Sequence, residues 1–249
     1  MRSFTFGKYI LIFGFVIAVV SSCKDDAYTA VIPPDTTNYS FVEEFDTMTS
    51  AYARDWRFIN VSDPRGDGTW QQSVNTDYLD AFPAYSSKST DAGFISADFS
   101  STSADQGAIS NWAVSPLTNM KNGDKIIFYS RTQIFFDPTT GDSTDYANRL
   151  QVRINKDNQG INVGSGTDPG DFKIVLLDIN PFYKYYYASQ AAYDPAAYPA
   201  RWTRFEATVS GLSEPTKGRF AFRYFTELAG NNGRGSSIGV DSVAYISNQ

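Results

Sequence analysis

From Tyr39 onward the chain is a succession of short apolar runs rich in Phe, Tyr, Val and Ile, separated by clusters of Gly, Asp, Asn, Ser and Pro. No other feature restricts the fold as much. Runs of this length, with period-two alternation and turn residues between them, form strands. The runs are Ser40–Asp46, Trp56–Val61, Ala92–Ser96, Trp112–Ser115, Lys125–Phe135, Arg149–Asn155, Phe172–Asp178, Trp202–Val209, Arg219–Thr226 and Ser237–Tyr245. Arg149–Asn155 alternates Leu150, Val152, Ile154 against Gln151, Arg153, Asn155, as a half-buried strand does. Arg219–Thr226 is expected to bury Phe220, Phe222 and Tyr224 or their alternates, with Arg223 outward. Lys121-Asn122-Gly123-Asp124 reads as a turn, and Tyr183–Ala197 is the best candidate for a short helix. No amphipathic helix is evident elsewhere. The expected fold is all-β: two antiparallel sheets packed as a sandwich of jelly-roll type, with the first strand close to the last.

The first 38 residues read differently. Arg2 and Lys8 flank a positive start, Tyr9–Val20 is apolar, and Val20-Ser21-Ser22-Cys23 ends the segment. This is the zoning of an export signal, and its ending resembles a lipobox, which predicts cleavage before Cys23 and a diacylated cysteine at the mature terminus. The apolar run is shorter than the ~20 residues a membrane span needs. Lys24, Asp25 and Asp26 follow directly and resemble a surface-export signal of Gram-negative lipoproteins; the plainer alternative is a solvated tether. The expected organisation is a signal peptide over 1–22, a Pro-containing tether over 23–38 and one domain over 39–249, lipid-anchored at the outer membrane and facing the exterior.

Composition excludes several classes of function. Cys23 is the single cysteine, so once acylated it leaves no disulfide. There is no histidine, which removes Ser-His-Asp and Cys-His catalysis and His-ligated zinc. Without Arg2 and Lys8 the 21 basic residues fall to 19 against 27 acidic ones, a net charge of −8 that disfavours nucleic acid. Carboxylate-based glycoside hydrolysis or lysis stays open on composition alone.

The order of signatures carries a resemblance. Phe41-Val42-Glu43-Glu44-Phe45-Asp46, Trp56-Arg57-Phe58-Ile59-Asn60-Val61 and Gly68-Thr69-Trp70 are followed by Asn111-Trp112-Ala113-Val114-Ser115-Pro116-Leu117 and Arg149-Leu150-Gln151-Val152. Trp202-Thr203 and Ile238-Gly239-Val240-Asp241-Ser242-Val243 complete the series. Over about Tyr39–Ile246 the chain is similar to choice-of-anchor J domains, relatives of the cleaved-adhesin and MAM families. Where such relatives usually carry Asp before the Trp-x-x-Ser-Pro tryptophan, this chain has Asn111. The resemblance implies a non-catalytic extracellular module, used in adhesion, carbohydrate binding or assembly of a surface complex.

It also implies a calcium ion tying the first strand to the last, with Asp46 and Asp241 at matching positions and Glu44 added by strand alternation. The alternative is that Asp46 caps a turn and Asp241 hydrogen-bonds a neighbouring loop. For a glycan or host-surface ligand the candidate platform is Tyr183, Tyr185, Tyr186 and Tyr187 with Trp202, because flat rings stack on pyranose faces; the alternative is a lid with its rings turned inward. Arg65-Gly66-Asp67 matches the triplet that integrins read, within an ordinary turn, and Gly230–Gly235 reads as a flexible loop.

Overall fold

The computed structural model describes residues 38–73, 82–86, 93–137, 139, 141–185 and 194–248. Cys23, Lys24, Asp25 and Asp26 lie outside them, with the rest of the signal peptide and nearly all of the tether; so do Tyr186 and Tyr187. The described residues belong to one unit spanning 37–249.

The strands run, in chain order, β1 (Phe41–Glu43), β2 (Arg57–Asn60), β3 (Gln71–Ser73), β4 (Phe94–Asp98), β5 (Gly107–Val114), β6 (Thr118–Met120) and β7 (Lys125–Thr132). They continue with β8 (Phe135–Asp137), β9 (Asp142–Thr144), β10 (Leu150–Asn155), β11 (Ile174–Ile179), β12 (Thr203–Thr208), β13 (Thr216–Ala229) and β14 (Ser237–Ile246). One sheet has the order β12-β7-β14-β4-β3, with β1 also on β14; the other has β11-β10-β13-β5-β2, with β6 also on β13. All pairings are antiparallel, and β8 and β9 form a separate hairpin. This is the expected all-β jelly-roll sandwich. The first and last strands are neighbours, Phe41 opposite Tyr245.

The core lies between the sheets. Phe220, Phe222 and Tyr224 on β13 face Ile126 and Phe128 on β7 and Ile238 and Val240 on β14, all buried. Trp56 meets Phe220 edge to face at 5.8 Å, and Phe128 meets Phe222 at 4.8 Å. Each such ring contributes about 1.5–3 kcal/mol by burial, which is how a domain with no cysteine pair is held together. The turn at Lys121–Asp124 forms as expected, with Gly123 at φ +95° and the Asp124 amide donating to the Lys121 carbonyl.

Three expectations need correction. Arg223 does face away from the core, yet it is only 1% exposed, because residues 156–172 fold back over that sheet and set Val163 and Phe172 against Trp112 and Ala221. Its guanidinium sits between Trp112 and Phe225 at 4.8 and 4.0 Å and donates to the Gly166 carbonyl at 2.7 Å. Burial, with Arg153 and Arg149 nearby, pushes its pKa down to about 9. Second, Tyr183–Ala197 is not helical where it is described; the described α-helix is α1 (Met48–Ala53), whose N-cap is Thr47. Third, β1 ends at Glu43 and Phe45 has φ +53°, so strand alternation does not put Glu44 and Asp46 on one face.

Candidate functional site: a groove at the loop end

The three acids proposed for calcium have different surroundings. Asp46 is exposed. Glu44 Oε2 is buried with no hydrogen-bond partner among the described residues. Asp241, on the outer side of β14, is fully buried and accepts from the Tyr85 and Ser86 amides at 2.7 and 3.0 Å, the Ser86 hydroxyl at 3.0 Å and the Ser242 amide at 2.6 Å. Burial outweighs these donors and pushes its carboxyl up to about 6. Asp241 thus fastens residues 82–86 across the outer face of its sheet, where Tyr85 stacks on Tyr129 at 3.5 Å. Glu44 and Asp241 both act on the Tyr85 hydroxyl electrostatically. Among the described residues no three Asp, Glu, Cys or His side chains form a group able to hold a metal.

The aromatic candidates are divided between the two sheets. Trp202, next to β12, donates from Nε1 to the Pro83 carbonyl at 2.8 Å and packs edge to face on Phe82 and Phe94 at 5.5 and 5.4 Å. Tyr183 follows β11 on the other sheet. Its hydroxyl accepts from Arg149 Nη1 at 3.1 Å and from the Glu227 amide at 3.2 Å, and Arg234 lies over its ring at 4.5 Å. Tyr185 is half-buried. Tyr198 is a core residue, its hydroxyl 2.6 Å from Ser130 Oγ. Tyr183 and Trp202 do not make one platform.

Tyr183 does stand beside a cleft that the sequence does not reveal. Arg234 above it belongs to the β13–β14 loop, and the other side of that loop walls a cavity of about 280 Å³. Its aromatic lining is Phe99, Phe135, Phe136 and Tyr146, and its polar lining comes from Asn231, Ser236 and the loop glycines. Phe99 is 40% and Phe136 67% exposed, where buried rings would be expected. A faint signal exists for Phe136: adjacent strand residues point to opposite faces, so Phe135-Phe136 cannot both be turned inward.

The loop is held in place. A Cβ on Gly230 (φ +129°) would lie 2.0 Å from the Ala104 carbonyl oxygen, and the Asn232 amide donates to the Asp105 carbonyl at 3.2 Å. The Phe99 amide donates to the Ser236 carbonyl at 2.8 Å. Asn111 is buried and donates to Ser101 Oγ at 3.0 Å, while among the described residues its Oδ1 finds no partner. The rings are therefore presented on a pre-organised frame.

Neither a family model nor a curated protein matches the chain. Among solved structures it is similar to the K1 cleaved adhesin domain of Lys-gingipain from Porphyromonas gingivalis, with 16% identity over 84% of this chain and 99% of that one and a TM-score of 0.48. The K2 domain of Lys-gingipain is 18% identical over 84% and 98%, with a TM-score of 0.46. A family 11 carbohydrate-binding module from Clostridium thermocellum, in complex with a mixed-linked tetrasaccharide, is 11% identical over 84% and 95%, with a TM-score of 0.38. Likeness at this level leaves function to be argued from the site.

Proposed function

We propose that this chain is a cell-surface lipoprotein of the choice-of-anchor J type whose sandwich binds a glycan without transforming it. The observation that carries the reading is the loop-end cleft, where four aromatic residues, two of them with exposed rings, line a wall opposite an amide-bearing loop fixed by hydrogen bonds. Such rings cover the apolar face of a pyranose while amides and hydroxyls take its edge. The cleft's volume is near the lower end of small-molecule sites, ~300 Å³.

Hydrolysis or lysis needs two carboxylates about 5–9.5 Å apart across the sugar. Among the described residues, each of four surface cavities is lined by no more than one acidic residue: none in the aromatic cleft, and Asp178, Glu43 and Asp67 in the other three. Immobilised-glycan binding tests the proposal directly. Phe136→Ala and Asn231→Ala are expected to weaken retention about tenfold or more, with melting temperature unchanged. Equal retention of both variants would remove the cleft from the function.

Assembly into a surface complex has one observation in its favour. β11 and β12 end their sheets and flank a groove of about 820 Å³ lined by Leu177, Ile179, Pro195, Pro199 and Phe205. A monomer by sedimentation at high concentration would count against that reading.

The calcium clasp is proposed for Glu44 and Asp241, which both act on Tyr85, whereas among the described residues Asp46 does not join them in a group of three. A fall in melting temperature on adding chelator supports it. An unchanged melt leaves the donors around Asp241 as the whole clasp.

A further inference from the structure

The aromatic cleft does not end at Phe99. On the other side of Phe99 and Asn231, which line both, lies a second cavity of about 260 Å³ walled by Arg65, Gly66, Asp67, Ser100, Thr102 and Ser103. The two differ in chemistry: one is mostly ring surface, the other hydroxyls, one guanidinium and one carboxylate. Arg65 and Asp67 are exposed, and neither side chain has a hydrogen bond or ion pair among the described residues. The Asn231 amide between them and the rings is likewise uncommitted among the described residues.

Their backbone is far from free. The Gly66 and Gly68 amides donate to the Ser101 and Ser100 carbonyls at 2.9 and 3.0 Å. Buried Asn60, at the end of β2, donates from Nδ2 to the Gly68 and Ser101 carbonyls at 2.6 and 2.8 Å, and Thr102 Oγ1 donates to the Pro64 carbonyl at 2.7 Å. A Cβ on Gly66 would stand 2.1 Å from the Ser100 carbonyl oxygen. The Arg-Gly-Asp triplet is thus seated against residues 100–102 and not lifted at a loop tip, which is the wrong posture for insertion into a receptor cleft. It leaves two charged side chains of opposite sign on a fixed backbone, side by side with a sugar-stacking surface.

Resting on the glycan reading above, we infer that the two cavities are consecutive subsites for a neutral pyranose oligomer. One ring stacks on Phe99, Phe136 and Tyr146, and the next is held by Arg65 and Asp67 through neighbouring hydroxyls. A guanidinium only donates and a carboxylate only accepts. A sugar hydroxyl does both, so adjacent hydroxyls satisfy both members of the pair, whereas a uronate carboxylate would satisfy Arg65 and leave Asp67 facing a like charge. The charges cancel, so nothing in the second subsite selects an anion. Asn231, common to both walls, faces the linkage region.

The test is calorimetric titration of the full mature chain with neutral oligomers of β-1,4-glucose, β-1,3-glucose, β-1,4-xylose, β-1,4-galactose and β-1,4-N-acetylglucosamine, each from monomer to hexamer. For the bound series, affinity is expected to rise about ten- to a hundredfold from monomer to dimer or trimer and then level off. The double variant Arg65→Ala/Asp67→Asn is expected to lose that rise, binding the whole series as weakly as the wild type binds the monomer, with an unaltered melting curve.

A wild type that binds monomer and hexamer equally overturns the second subsite while leaving the aromatic cleft as a sugar site. So does a double variant that keeps the rise. An oligouronate bound more tightly than every neutral oligomer overturns the neutral assignment. No heat with any hexamer overturns the glycan reading itself, and this inference with it.

Discussion

Asp241 shows how a single residue sets a local pH response. Its carboxylate takes amide and hydroxyl donors from Tyr85, Ser86 and Ser242, which favour the charged form, yet it is fully buried and its carboxyl is pushed up to about 6. Among the described residues its shift comes from burial, opposed by the donors on Tyr85, Ser86 and Ser242, with Tyr129 opposite it on β7. The unfolded chain titrates near ~3.9, so the folded state binds this proton more tightly. The resulting stability is fully present below about pH 4 and is lost as pH rises through about 6, up to about 3 kcal/mol. Urea denaturation of wild type and Asp241→Asn at about pH 4.5 and about pH 7.5 isolates the effect. The wild type is expected to gain on the variant by about 2 kcal/mol at the lower pH. A difference that is the same at both values would show that donors and burial cancel at this carboxylate.

At the scale of elements, the long strands announce themselves and the short ones do not. β7, β10, β13 and β14 run six to fourteen residues with Phe, Ile or Val at alternate positions, so their period is visible. β3, β6, β8 and β9 have three residues each, too few for any periodicity, and Gln71-Gln72-Ser73 has no apolar residue at all. Alternation puts Arg223 on the outer side of its sheet, where it is, but it cannot show that residues 156–172 cover that side. The glycines of the β13–β14 loop suggest flexibility in the sequence, whereas close approach to Ala104 accounts for Gly230. Gly230→Ala forces a Cβ into that carbonyl at φ +129° and is expected to destabilise the domain by more than about 1 kcal/mol and weaken glycan retention together. Chemical denaturation and affinity retention measured on the same sample check both. An alanine variant as stable and as retentive as wild type would show that the loop frame yields without cost.

For the whole molecule, the fold was legible because each sheet reuses one pattern, while the candidate site was not because it assembles Arg65, Phe99, Phe136 and Asn231 from four stretches far apart in the chain. The tyrosine-rich segment is conspicuous by local density alone; its described tyrosines separate into a core residue, Tyr198, a half-buried one, Tyr185, and a neighbour of the cleft, Tyr183. Binding at the loop end and attachment through Cys23 are proposed as independent properties, since Cys23 lies outside the unit spanning 37–249. That independence can be measured. Cys23→Ala removes the only thiol available for acylation, so the expressed protein is expected to leave the detergent phase on phase separation and to incorporate no labelled fatty acid. Its melting temperature and glycan affinity are expected to equal those of the anchored protein, because neither a disulfide nor a residue of the cleft has been lost. Continued partition into detergent would end the lipoprotein proposal, and loss of affinity in the released protein would end the separation of anchor from site.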